Sequence, residues 1–212
     1  MRNLPARFAD VAELEEFMTR PSAELERDLA SIDEILVLGV AGKMGPTLAR
    51  LARRAGKRVI GVARFSERGL REKLAAWGVE CIACDLLERA SLERLPRMKH
   101  VVFMAGHKFG AAGNPSLTWA MNVNVPFMVA ETFRDSRIIA FSTACVYPYA
   151  SVTSRGADES VPTTPPPGDY ANSCVGREQA FLFGSQRYGT PGRLMRLEYA
   201  IDMRYGVLHD VA

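Results

Sequence analysis

The sequence predicts an α/β chain, a doubly wound parallel sheet with helices on both faces and a helical lead-in before it. Three observations carry this. From Glu34 onward, apolar runs such as "EILVLG", "KRVIGVA", "HVVFMAG" and "RIIAFSTACVY" alternate with segments of helical spacing. These runs are continuously apolar, as strands buried on both faces are. Three glycines, Gly39, Gly42 and Gly45, stand between the first such run and the first helical segment.

The elements follow in order. In "FADVAELEEFMTR" the apolar Val11, Leu14, Phe17 and Met18 recur at helical spacing, Pro21 restarts the chain, and Leu25, Leu29 and Ile32 form a second stripe. Residues 1–32 are therefore expected to be a helical N-terminal extension packed on a main domain of residues 33–212. The first strand, "EILVLG", leads to a helix in "MGPTLARLARRAG" and a second strand in "KRVIGVA". A helix near Ser66–Trp77 precedes the strand "VECIACD". A helix around Ser116–Phe133 lies between "HVVFMAG" and "RIIAFSTACVY". After the proline-rich "VPTTPPPG" comes a helix opened by Tyr170, and then the strand in "GRLMRLEYA". There is no internal repeat.

Composition narrows the partners. The 212 residues suit one large domain, alone or with a small appendage, and can bury a substantial core. A net charge of +3 with scattered arginines argues against nucleic acid and suits phosphorylated small molecules. No apolar run approaches the roughly 18 residues of a membrane span, and no apolar signal core follows the first basic residues. Four cysteines without framework spacing fit a reducing compartment, so a cytoplasmic protein is expected. The three histidines have no metal-ligand spacing, and "CIAC", Cys81 and Cys84, reads as part of a core strand.

In "LGVAGKMGPTLARLA" the glycines meet three needs of a phosphate-binding turn: a tight bend, close approach of backbone to pyrophosphate, and close helix–strand contact. The helix N-terminus behind them offers free N–H groups to the anion. The spacing G-x-x-G-x-x-G resembles that of the short-chain dehydrogenase/reductase superfamily, in particular its extended branch, the NAD-dependent epimerase/dehydratase family. The resemblance runs from about Glu34 to the C-terminus. It implies a Rossmann fold that binds NAD or NADP, with Lys43 and Met44 joining the three glycines in the cofactor turn.

Further along, relatives that prefer NAD carry an acid after the second strand; here Ala63 and Arg64 stand there, and a guanidinium suits the 2′-phosphate of NADP. "CDLLERASL" resembles the family's Asp-Leu step, which would place Asp85 and Leu86 on the adenine; an Asp capping the following helix is the other reading. "FMAGHKFG" resembles the segment beneath the cofactor, with Ala105 and Gly106 along it and Lys108 as a phosphate contact or an ordinary surface lysine. "AMNVNVP" supplies Asn122, at a family asparagine beside the active site.

The catalytic residues implied by the resemblance are Thr143, preceded by Ser142 in "FSTACVYP", and Tyr170 in "GDYANSCVGREQAF". The threonine hydroxyl would hydrogen-bond a substrate oxygen and the phenol would move its proton. A phenol has a pKa near ~10, and the family lowers it with a lysine four residues on. Here that position is Cys174, which shares a helical face with Tyr170 but brings no cation. Ala171, Asn172, Ser173 and Glu178 fit the family pattern around it. Three explanations stand open: another cation, from Lys108, His107 or Arg204; the positive charge of an oxidised nicotinamide; or a domain that binds the nucleotide without turning it over. Cys145 and Cys174 both fall in segments expected to line the site, where a thiol pair could respond to oxidation. Glu198 stands where the family has asparagine, at the start of the sugar site.

Two functions follow. One is an NAD(P)-dependent epimerase/dehydratase-like oxidoreductase acting on a sugar or nucleotide-sugar; the other is a non-catalytic NAD(P)-binding sensor or scaffold. The ending "YGVLHDVA" reads like the middle of a longer protein, with most of a C-terminal substrate domain absent. Family analogy adds a homodimer through the helices around Asn122 and Tyr170.

Overall fold

The computed structural model describes residues 5–108, 113–198 and 204. Among them, six strands form one parallel sheet in the order β3-β2-β1-β4-β5-β6. The strands are β1 (Glu34–Leu38), β2 (Arg58–Ala63), β3 (Glu80–Ala83), β4 (His100–Phe103), β5 (Arg137–Thr143) and β6 (Gly192–Leu197). The order reverses direction between β1 and β4, and it is outside the carboxyl ends of such a pair that an open α/β sheet leaves a crevice.

The continuous apolar runs are explained by burial on two sides. Leu36 and Leu38 of β1 face a cluster with Phe103, Ala140, Val125, Met128 and Phe181, while Ile35 and Val37 face a second with Ala49, Ala52, Leu70 and Leu74. The first cluster is covered by α5 (Arg89–Glu93), α7 (Val125–Thr132) and α8 (Asp169–Tyr188), the second by α3 (Gly45–Arg54) and α4 (Leu70–Ala76). On the α3 side the cover thins toward β6, where Ile139 and Met195 are exposed.

The lead-in comprises α1 (Val11–Met18) and α2 (Ala23–Asp28). The apolar stripe explains less of its attachment than expected. Leu14 alone is buried in α1, Val11 is exposed, and α2 buries no residue. Polar contacts join it to the sheet domain instead: Glu16 accepts from Arg50 and Arg54 of α3 at 2.9 and 2.7 Å, and Glu15 from Lys73 of α4 at 2.8 Å.

The helix expected over Ser116–Phe133 is three pieces: α6 (Pro115–Trp119), a widened π turn over Ala120–Asn124, and α7. Pro126 explains the break, since it has no N–H to give and its ring crowds the carbonyl one turn back. The widened turn absorbs that residue and directs Asn122 wholly into the interior.

Candidate functional site

The first half of the site is made of backbone. Gly39 leaves β1 with φ +90°, and a Cβ there would stand 2.5 Å from the amide nitrogen of Ala105. Gly45 starts α3 so close to the strand that a Cβ would collide with the Val40 carbonyl. Gly42 is different, since its nearest neighbour for a Cβ is the Gly39 oxygen at 3.5 Å, an ordinary contact. Two glycines thus serve packing, and the middle one keeps the turn's outer surface bare. α3 follows with no side chain capping its first turn, so its leading N–H groups face outward.

A crevice of about 220 Å³ opens over this turn, lined by Gly39, Gly42, Arg64, Asp85, Leu86, Ala105 and Gly106 among others. These seven come from four strand ends that sequence reasoning had put on one ligand. Lys43 and Met44 are not in its lining; Lys43 is exposed at the turn and Met44 precedes α3. Asp85 does not cap α5, which starts after Glu88; its carboxylate accepts from the Leu87 amide at 3.0 Å in a local turn.

Asn122 lies inside the protein. It is fully buried and both ends of its amide are engaged within the protein. Oδ1 accepts from the His107 amide at 2.8 Å and from Arg177 Nη2 at 2.6 Å, and Nδ2 donates to the His107 carbonyl at 3.0 Å and Ser173 Oγ at 2.9 Å. It supports the loop beneath the crevice and does not line it.

The second half is made of side chains on α8. Tyr170, Cys174, Arg177, Glu178 and Phe181 recur at spacings of three and four, and this face lies on β4 and β5. Thr143 at the end of β5 and Cys174 one turn along α8 are the neighbours that act on the Tyr170 hydroxyl. Burial, then the Cys174 thiol, push the phenol up to about 12, against the Thr143 hydrogen bond and the charge of Arg177, which draw it down. Burial likewise raises the Cys174 thiol, which has no exposed surface. Tyr170 and Cys174 are therefore a neutral pair at neutral pH. Cys145 is exposed and close enough to act electrostatically on both.

The three cations considered for Tyr170 separate clearly. Lys108 Nζ lies 5.6 Å from the Tyr170 ring centroid. His107 Nδ1 is engaged with Thr118 Oγ1 at 2.9 Å. Arg204 is held by Glu15 and Thr47, both at 3.0 Å, on the α1–α3 side. Lys108, Tyr147, Tyr170, Arg196 and Glu198 line a larger cleft of about 830 Å³.

Two arginines absent from the sequence reading hold this region together. Arg196 of β6 forks onto Glu178 at 3.0 and 2.8 Å and donates to Tyr147 Oη at 2.7 Å. The Glu178 carboxylate raises the Arg196 guanidinium above its usual range. Ser142, the hydroxyl next to Thr143, donates to Glu178 at 2.6 Å and so belongs to this network. Arg177 is 7% exposed, donates to the Phe141 carbonyl at 3.0 Å and to Asn122, and lies against the underside of Gly106, where a Cβ would strike Nη2. A basic residue on the buried face of α8, three past Cys174, was the available signal.

A parallel sheet with a glycine-turn crevice at its switch point is a Rossmann-type α/β fold. A family model described as the NAD dependent epimerase/dehydratase family matches residues 35–199, and the chain belongs to that family. Solved structures agree in fold. The UDP-Glc/GlcNAc 4-epimerase of Campylobacter jejuni aligns with a TM-score of 0.70 at 20% identity, over 77% of this chain and 53% of that one. A UDP-glucose 4-epimerase of Thermus thermophilus, solved with NAD, gives 0.69 at 24% over 77% and 54%. The UDP-glucuronic acid 4-epimerase of Bacillus cereus, solved with UDP-glucuronic acid and NAD, gives 0.67 at 20% over 77% and 55%. The chain thus spans little more than half the length of these structures. No curated protein matches it significantly.

Proposed function

We propose that the chain binds a pyridine dinucleotide in the crevice over β1 and β4 and serves transient oxidation and reduction of a sugar or nucleotide-sugar carbinol. The observation that carries this is the crevice lining: Gly39, Gly42, Ala105 and Gly106 leave backbone bare at the switch point of the sheet, while Tyr170 lines the larger cleft. The residues fit such a ligand, because the turn's outer surface at Gly42 is open and α3 starts behind it without a side-chain cap. Arg64 in the lining, with no acid at the end of β2, favours the 2′-phosphate of NADP over the bare ribose of NAD. When bound, the dinucleotide supplies hydride acceptance and return. The chain's own part is the proton. Tyr170, with Thr143 near its hydroxyl, would take the carbinol proton as phenolate when hydride leaves and give it back when hydride returns. The raised phenol, protonated at neutral pH, is in the form needed for the return half. The larger cleft, whose wall mixes Lys108 and Arg196 with Asp158, Glu159 and Glu198, is lined by polar groups and has room for a sugar.

A second reading, a non-catalytic NAD(P)-binding sensor or scaffold, is favoured by one observation: Cys174 is buried and uncharged where the family has a lysine. Calorimetry with NAD and NADP, followed by turnover assays over a panel of nucleotide-sugars, tests both. The first reading expects micromolar binding, with turnover lost and binding kept in Tyr170→Phe. Tight binding without turnover leaves the second. No heat from either coenzyme on folded protein removes both.

Residues 1–32 act, in this reading, as an extension fastened to α3 and α4, and the chain pairs with a second copy through α7 and α8. Phe127 and Phe183 are exposed there with ring centroids 6.1 Å apart, and Leu182 lies beside them. Sedimentation should give a dimer that Phe183→Glu converts to monomer; a wild-type monomer at high concentration rejects the pairing.

A further inference from the structure

Beneath the crevice lies a positive charge with no counter-charge. Arg177 of α8 is 7% exposed. Its Nη1 donates to the Phe141 carbonyl at 3.0 Å and its Nη2 to Asn122 Oδ1 at 2.6 Å, both neutral oxygens. Nε has no hydrogen-bond partner. The neighbouring carboxylate, Glu178, is held by Arg196, and among the described residues no other carboxylate pairs with Arg177. Burying a guanidinium without an ion partner is costly. An anion that arrives with a ligand would supply that partner.

The surroundings of the guanidinium say where such an anion would sit. Gly106 lines the crevice, and a Cβ on it would strike Arg177 Nη2 and stand 3.2 Å from Cζ. The backbone of this one residue therefore meets the crevice on one side and the guanidinium on the other. Ala105, just before it, abuts the glycine turn: a Cβ on Gly39 would stand 2.5 Å from the Ala105 amide nitrogen. Arg177 thus lies under the seam where the glycine turn meets the loop after β4. That loop is fixed to the same support, since Asn122 Oδ1 also accepts from the His107 amide at 2.8 Å and Nδ2 donates to the His107 carbonyl at 3.0 Å.

Other charges at the crevice lie elsewhere. Arg64 and Asp85, of opposite sign, line it past the ends of β2 and β3. Lys43 is exposed at the turn, where water and salt screen it. Arg177 acts through the interior, where the same charge counts for more. We propose that Arg177 is a positioning residue for an anionic ligand: from beneath Gly106, its uncompensated charge draws a diphosphate to the seam between the glycine turn and the loop after β4. This rests on the reading of the crevice as the dinucleotide site, and it names the chemical group that this side of the crevice selects.

The test reads binding alone, by NMR titration of the whole chain with two probes: ADP, which carries a diphosphate, and adenosine, which does not. Arg177→Gln, with an amide donor in place of the charge, should weaken ADP about 5- to 20-fold and change adenosine less than about twofold. Arg177→Lys restores the charge and should hold ADP within about threefold of the wild type. If Arg177→Gln does not fold, Asn122→Asp keeps the guanidinium and gives it a carboxylate, and the preference for ADP over adenosine should again fall. Equal weakening of both probes would make Arg177 a structural support only and overturn the proposal. So would a loss of ADP binding in Arg177→Lys as large as in Arg177→Gln. A wild-type chain that binds NAD or NADP but does not prefer ADP to adenosine overturns this proposal and leaves the functional reading standing. A folded chain that binds neither coenzyme removes both.

Discussion

The glycine turn after β1 and the inner face of α8 meet the same crevice by opposite means. At the turn, function would be performed by main chain, and side chains are absent where they would intrude: Gly39 against Ala105, Gly45 against Val40, Gly42 open. On α8, function would be performed by side chains held by other side chains: Tyr170 on Thr143, Arg177 on Asn122, Glu178 on Arg196 and Ser142. The first region tolerates no substitution at two of three positions yet keeps the family's spacing. The second has Cys174 where the resemblance leads one to expect a lysine, and its two arginines, Arg177 and Arg196, are held by side chains of other elements or of α8 itself. A backbone device depends on what is missing at each position, whereas a side-chain device depends on the partners that hold each group.

The largest effect should come from breaking the α8 network at its acid. Glu178 is 1% exposed and accepts three hydrogen bonds, one from Ser142 and two from Arg196. Glu178→Ala leaves Arg196 partly buried without its counter-ion and Ser142 without its acceptor, and should cost about 3–5 kcal/mol in urea unfolding. A loss below about 1 kcal/mol would mean that the network is no better than a surface pair, and the contrast between the regions would fail on its α8 side.

The glycine turn makes a finer prediction, because its three members should divide. Gly39→Ala forces a side chain into a left-handed residue already touching Ala105, and should cost about 1–3 kcal/mol. Gly42→Ala meets only an ordinary contact, so stability should stay within about 0.5 kcal/mol. Dinucleotide binding should nevertheless weaken at least about tenfold, roughly 1.4 kcal/mol, if a methyl group stands in the ligand's place. Equal losses of stability at both positions would reduce Gly42 to packing. Unchanged affinity in Gly42→Ala would remove the turn from the ligand site.

Legibility in the sequence divides along the same line. The parallel sheet and its strands could be read because burial on two faces writes an uninterrupted apolar run, and the turn could be read because its glycines sit within seven residues of one another. Arg64, Asp85, Ala105 and Gly106 were reached because each follows a strand end, and strand ends in a parallel sheet meet. Arg177 and Arg196 escaped because their meaning lies in partners 55 and 18 residues away. Asn122 could be placed on a helix, but the π turn that buries it leaves no periodic signature beyond Pro126. The lead-in's helices could be read from its apolar stripes, but its ion pairs to α3 and α4 could not, because their partners lie far along the chain.

The smallest expected effect is a slope, and it tests whether Tyr170 is as isolated from water and cations as its raised titration implies. Burial first, and the neighbouring thiol next, lift the phenol from 10.0 to about 12. The folded state therefore holds this proton across an interval in which the unfolded chain has released it. Where the native state binds more protons than the unfolded one, stability falls as pH rises. Tyr170 should thus contribute its full share below about pH 10, and that share should be lost as the pH climbs through about 12. Tyr170→Phe has no proton to lose, so its unfolding free energy should decline less steeply with pH across the part of that window where the chain remains folded. Parallel curves for the two proteins would mean that the phenol titrates as it does in water, and the hydroxyl on α8 would then need no help from any cation, buried or exposed.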